Sequence, residues 1–269
     1  MDWMQKLQGL AALTALATTF LACDADESGP NVVDITVHDD SISIPASLEP
    51  GYTTFLIDGQ SEGDNHLLFV RANDGVSRDS METGIRANDG SGDEFVTIVG
   101  GNGGMAKGEE AEVTFELRQG IYAVVLFDEE GELAADSYFT VSDADDQTSA
   151  PDSDGVVQMG PGFEFSVPAD FSGSGTFEFK NVDDQIHEGA FIRLPDGATM
   201  DEVGDWARNG FQGPPPFEPA GGFGALDGGR EGWLTFDLPP GDYAIICWIP
   251  GPEGLPHWLG GMSASFTVD

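Results

Sequence analysis

Basic residues are scarce. The chain sets 10 Lys and Arg against 48 Asp and Glu, a formal net charge of −38 in 269 residues. Such a surface repels phosphate backbones, which excludes nucleic acid as a partner. Cysteine is scarcer still, with two, Cys23 and Cys247. Long apolar runs are missing as well. The stretch from Leu7 to Ala22 is too short and too interrupted by Gly and Thr for a stable membrane span. The Gly-rich run Gly100–Gly104 has no Lys or Ser/Thr at phosphate-loop spacing and reads as a loop. The acids nowhere take EF-hand spacing, so Asp74, Asp79 and Asp89 read as solvated surface. No Ser/His/Asp set has a recognisable nucleophile elbow.

What is present points to a folded β protein. Hydrophobic residues make up 40% of the chain, with 18 Phe and 5 Trp, which a disordered acidic chain would lack. Gly 37 and Pro 16 suit many short strands joined by turns. Acids scattered between apolar segments suit a halophilic or salt-tolerant source, where counterions screen the self-repulsion.

Residues 1–23 read as a secretory signal, with Lys6 in the n-region and Leu7–Ala22 as the apolar core. Phe20-Leu21-Ala22-Cys23 resembles the bacterial lipobox. That resemblance implies lipidation of Cys23, anchoring at the outer face of the cell membrane or in the periplasm, and a tether over 24–30. An ordinary cut near Ala22 is the alternative. If Cys23 carries lipid, Cys247 has no partner within the chain. It is then a buried inert thiol, half of an intermolecular bridge, or a metal ligand.

An acidic Ser/Asp/Pro stretch, 142–154, reads as a linker between segments 31–141 and 155–269. The segments look alike. Each has an alternating strand, a polar turn with a His, and an apolar strand. Each then has a Gly turn, a Tyr-Ala core strand and a closing Phe-Thr-Val strand. Internal duplication of a β-domain is the simplest account. Alternation predicts strands at Phe163–Val167, Thr176–Phe179 and Trp233–Leu238. Short helices are expected at Thr199–Asn209, with Thr199 as N-cap, and at Asp79–Arg86.

The most specific signal runs from Cys247 through His257 to Met262. It follows the apolar strand Tyr243–Ile246. A thiolate, an imidazole and a thioether share one loop, and His187 adds a second imidazole from a distant strand. Soft thiolate, borderline imidazoles and a weak thioether suit type 1 copper. Pro250, Pro252 and Pro256 stiffen the loop. Trp248, Trp258 and Leu259 are placed to keep water away. Taken singly, His187 reads as a structural His, Met262 as core and Cys247 as an ordinary buried thiol. Their conjunction in one segment changes that reading.

Residues 155–269 resemble the cupredoxin family through the Asn181…His187 turn, the Tyr243…Cys247 strand, and His257 followed by Gly261-Met262. The resemblance implies an all-β fold of two tandem Greek-key sandwiches, each with one short helix. It implies one type 1 copper in the second, held by His187, Cys247, His257 and Met262. The nine residues between Cys247 and His257 are closer to the copper loop of nitrite reductases than to that of plastocyanins. In nitrite reductases a His before the copper Cys reaches a second copper. Here Ile246 stands there, so the expectation is an electron carrier and not an enzyme. His257 would be the electron port, and Trp258 with the Pro-rich loop the surface for unidentified redox partners. In the first segment His66 is set opposite His187 and Leu126 opposite Cys247, with no copper site. A copper-free surface module is the alternative function. A copper store would need Met- or His-rich tracts, which are absent.

Overall fold

The computed structural model describes residues 29–63, 65–87, 93–128, 132–251 and 254–269. The leader, Cys23 and residues 24–28 of the tether lie outside them. No helix among the described residues is long and apolar enough to cross a membrane.

The first half contributes β1 (Asn31–His38), β2 (Ser41–Ser43), β3 (Ser47–Leu48), β4 (Gly51–Gly59) and β5 (Leu67–Ala72). Helix α1 (Arg78–Ala87), β6 (Val96–Gly101), β7 (Glu110–Leu117), β8 (Gly120–Phe127) and β9 (Leu133–Val141) complete it. The second half repeats the order: β10 (Gly155–Gly160), β11 (Glu164–Ser166), β12 (Ser174–Asn181), β13 (His187–Leu194) and α2 (Met200–Arg208). It ends with β14 (Glu218–Leu226), β15 (Glu231–Asp237), β16 (Gly241–Ile246) and β17 (Ser263–Val268). The fold is all-β apart from these two short helices.

The strands form three sheets. A four-stranded sheet runs β14-β13-β16-β17, and a five-stranded sheet runs β3-β9-β8-β5-β6. Both face a single eight-stranded sheet, β11-β10-β12-β15-β7-β4-β1-β2, to which each half supplies four strands. Alternation explains the layering, since period-2 side chains point to opposite faces. In β1 the buried residues are Val33, Ile35 and Val37. Phe179 of β12 and Phe191 of β13 meet across the second sandwich, and Phe55 of β4 and Phe69 of β5 across the first.

The halves join along the edge between β15 and β7, where Trp233, Leu234 and Thr235 pair with Thr114, Val113 and Glu112. The Gly-rich run expected to be a loop makes a second contact between the halves, against β14. Gly100 and Gly101 end β6, and the Gly103 N–H donates to Gly222 O at 2.7 Å. A Cβ on Gly103 would collide with the Gly221 carbonyl, so backbone meets backbone there. Residues 142–154 carry neither strand nor helix. They are tied down at the middle and at the C-terminal end. The Tyr52 N–H donates to Thr148 Oγ1 (2.7 Å) and the Thr176 N–H to Asp154 Oδ2 (2.9 Å).

Two local expectations are met closely. Thr199 caps α2 in a capping box with Glu202. Helix α1 occupies the equivalent place in the first half.

Candidate metal centre

One end of the second sandwich gathers the chemistry. His187 opens β13, and Cys247 directly follows β16. Strand β16 is buried from Tyr243 to Ile246, so Cys247 is drawn into the core with it. The loop after it folds back on itself. The Gly251 N–H donates to Leu255 O (2.8 Å), and Pro250 pairs with Pro256. Pro252 lies outside the described residues. The His257 and Trp258 N–H groups donate to Ile249 O and Cys247 O, at 2.9 and 3.1 Å. This fixes His257 at the head of a 3₁₀ turn, His257–Gly260. Gly261 then takes a left-handed φ of 117°, which a glycine adopts without a Cβ penalty. The turn brings the Met262 N–H back to His257 O at 3.2 Å. Ile246 pairs with Ser263, so Met262 lies one residue beyond the last rung, as Cys247 does.

Three donors converge there. Cys247 Sγ is 3.5 Å from His257 Nδ1 and 3.9 Å from His187 Nδ1, and the two Nδ1 atoms are 3.0 Å apart. All three residues are buried, and they form the one such group of potential metal ligands among the described residues. The spacing fits one ion. Donors about 2.0–2.3 Å from a first-row metal sit ~3–4 Å from one another. Thiolate plus imidazoles is a donor set suited to copper. Met262 is completely buried beside them.

The surroundings set the protonation chemistry. Burial, then the nearby Glu188 carboxylate, pushes the Cys247 thiol up to about 12. A metal entering the site must therefore displace that proton. Burial, reinforced by the neighbouring His187, holds the His257 imidazole below its usual value and so keeps it neutral. A neutral ring is what a metal ligand requires. The hydrogen bond from His187 keeps the Asp183 carboxyl below the ordinary carboxylate range.

Three neighbours escaped the sequence reading. Asp183 Oδ2 lies 3.0 Å from His187 Nε2. Glu188, 3% exposed, aims its own N–H at Cys247 Sγ (3.5 Å) and accepts the Trp248 N–H at 2.8 Å. Phe163 stacks on His257 with ring centroids 4.4 Å apart. In a chain with 48 acids, two particular carboxylates carry no signal. Asn181, which the sequence did single out, is fully buried. Its amide donates to Gln185 O and Leu226 O and so shapes the turn ahead of His187.

Two placements need correction. Trp258 is 5% exposed and packs on Trp248, so it is core and not partner surface. Among the described residues of the loop, Pro250, Gly254 and Leu255 are exposed. His66 is not the counterpart of His187. Arg71 pairs with Tyr122 as Arg193 pairs with Tyr243. Counting back along both strands puts Asn65 in the place of His187 and His66 in that of Glu188. Leu126 does stand opposite Cys247, and Ala135 opposite Met262.

No family model matches the chain, and no curated protein matches it. Solved structures do resemble it. Auracyanin from the photosynthetic bacterium Roseiflexus castenholzii is 24% identical over 43% of this chain and 95% of its own, with a TM-score of 0.27. A multicopper oxidase is 14% identical over 88% of both chains, with a TM-score of 0.23. The copper-containing nitrite reductase of Thermus scotoductus is 12% identical over 90% of this chain and 68% of its own, with a TM-score of 0.26. With an oxidase and a nitrite reductase among the structures it is similar to, the expectation that the chain is not an enzyme does not stand.

Proposed function

We propose that this chain is an exported, lipid-anchored copper protein that carries single electrons through one type 1 copper in its second sandwich. The observation that carries the reading is the convergence of His187 Nδ1, His257 Nδ1 and Cys247 Sγ in a buried pocket. In this reading those three residues would hold the copper, with Met262 as a weaker fourth donor. A bound copper supplies the one-electron couple. The protein's residues do the rest. The ladder between β13 and β16 and the loop folded through Gly251 hold the donors in place. Burial excludes water, and the Glu188 N–H supports the sulfur.

His257, with the Phe163 ring stacked on it, would be the electron port. The acidic exterior selects basic patches on redox partners, more weakly as salt rises. Cys23 would hold the chain at the membrane through its lipid.

The test is a visible spectrum of the mature full-length chain with Cu(II). An intense sulfur-to-copper band that disappears in Cys247→Ser is expected. A colourless protein with no tight copper binding overturns the reading in favour of a copper-free surface module. For the anchor, mass spectrometry of the exported protein should find a lipid-modified Cys23. An unmodified N-terminus at Asp24 or later would reject it.

A further inference from the structure

The two imidazoles share the site and differ behind it. His257 Nε2 is buried with no hydrogen-bond partner among the described residues, and an aromatic ring lies on its face. His187 Nε2 meets the carboxylate of Asp183 at 3.0 Å. That carboxylate is itself held in place. Its Oδ1 accepts the Asp184 N–H at 2.7 Å, and the Asp183 N–H donates to Asn181 Oδ1 at 3.0 Å. The Asp183 side chain is only 11% exposed, so water screens its charge weakly.

We propose that Asp183 is a positioning residue. It accepts the Nε2 proton of His187, turns the Nδ1 lone pair into the site, and biases a copper there toward its oxidised state. The inference rests on the copper reading above.

Two arguments lead to it. An imidazole carries one proton when neutral, and a carboxylate 3.0 Å from Nε2 decides which nitrogen keeps it. A negative charge behind a ligand also raises that ligand's basicity and favours the higher metal charge. Buried Glu188, whose N–H points at the sulfur, adds a second acidic side chain near Cys247. The first half supplies an internal control. Four residues ahead of Asn65, where Asp183 stands ahead of His187, is Ser61. There the amide oxygen of Asn65 accepts the Ser61 N–H at 3.0 Å, and no carboxylate takes part in that bond. The carboxylate thus accompanies the imidazole.

The experiment uses the copper-loaded full-length chain. Asp183→Asn keeps an acceptor oxygen and removes the charge. Its reduction potential should rise, with the ratio of Cu(II) to Cu(I) affinity falling about tenfold. Asp183→Ala removes both, and Cu(II) affinity should fall ~10–100-fold, the usual cost of losing such a partner. In the Cu(I) form, proton NMR should show a slowly exchanging Nε2–H of His187 that is lost in Asp183→Ala. A potential in Asp183→Asn equal to that of the parent, with copper bound in both, overturns the proposal and leaves the copper reading intact. A parent chain that binds no copper overturns both. Loss of folding in Asp183→Ala would not decide the matter alone, because the Asn variant carries the potential measurement.

Discussion

The two halves of the chain are one scaffold used twice. Each puts four strands into the shared sheet and covers them with a smaller sheet of its own. The Tyr-Ala strands superimpose rung for rung, with Tyr122 and Tyr243 stacked on Phe139 and Phe266. The buried side chains at one end of the sandwich differ. Where the second half has His187, Cys247 and Met262, the first has Asn65, Leu126 and Ala135, all buried. Eight residues separate Leu126 from Ala135, against 14 between Cys247 and Met262, and the shorter stretch contains no His. Residues 129–131 of that shorter loop lie outside the described residues. The difference teaches that the fold does not need the ligands. The site is an addition to a scaffold that stands without it.

The strongest way to break the comparison is to write the first half's residue into the second. Cys247→Leu copies Leu126. It should abolish the visible band and tight copper binding altogether, because the one soft anionic donor is gone. Folding should survive at a cost of about 1–3 kcal/mol for the larger side chain in a packed core. Absorbance and a urea melt on the same sample separate the two effects. A band that persists would mean that the sulfur is not a ligand.

His187→Asn copies Asn65 and should act next most strongly. Asn can satisfy the turn by hydrogen bonds, as Asn65 does, but offers a much poorer donor to copper. Cu(II) affinity should fall by more than the ~10–100-fold typical of a lost supporting partner. Competition with a chelator measures it. An affinity within tenfold of the parent would remove His187 from the ligand set.

The same pair shows where the sequence could be read and where it could not. Alternation, the capping box at Thr199 and the run from Cys247 through His257 to Met262 are each short and continuous, so they are visible in a string. The seam between β7 and β15 is not, because three rungs of edge pairing need no special residue on either strand. A second contact left a trace in the run Gly100–Gly104, whose first two glycines end β6 and whose Gly103, in the loop beyond, admits the backbone of β14. His66 misled for a related reason. It is the histidine nearest the expected turn, while the residue that fills the pocket, Asn65, looks like an ordinary turn residue. A one-residue shift changes which face a side chain occupies, and only the ladder register reveals it.

In the first half, Asn65 sharpens the comparison from the other side. Its buried amide donates to Ser61 O, Gly63 O and Met105 O and accepts the Ser61 N–H. Asn65→Ala strands those groups and should destabilise the chain by about 1–3 kcal/mol, read as a lower urea midpoint. Copper binding, in the other half, should not change. Equal stability of variant and parent would mean that the amide fills space without bonding.

The smallest effect separates the two tyrosines. Each hydroxyl reaches back four residues and donates to a carbonyl, Tyr122 to Arg118 O and Tyr243 to Pro239 O, both at 2.8 Å. Tyr122 also accepts the Arg118 N–H at 2.9 Å. Pro239 has no N–H to give, so Tyr243 makes one bond where Tyr122 makes two. An ordinary intramolecular hydrogen bond is worth about 0.5–1.5 kcal/mol. Tyr243→Phe should therefore cost roughly 1 kcal/mol and Tyr122→Phe about twice that, measured by denaturant melts of the full chain. Both rings stay stacked on their Phe partners in the variants, so packing is held constant and the difference isolates the extra bond. Equal losses would show that the second bond contributes nothing, and that the two corners are energetically as alike as their strands.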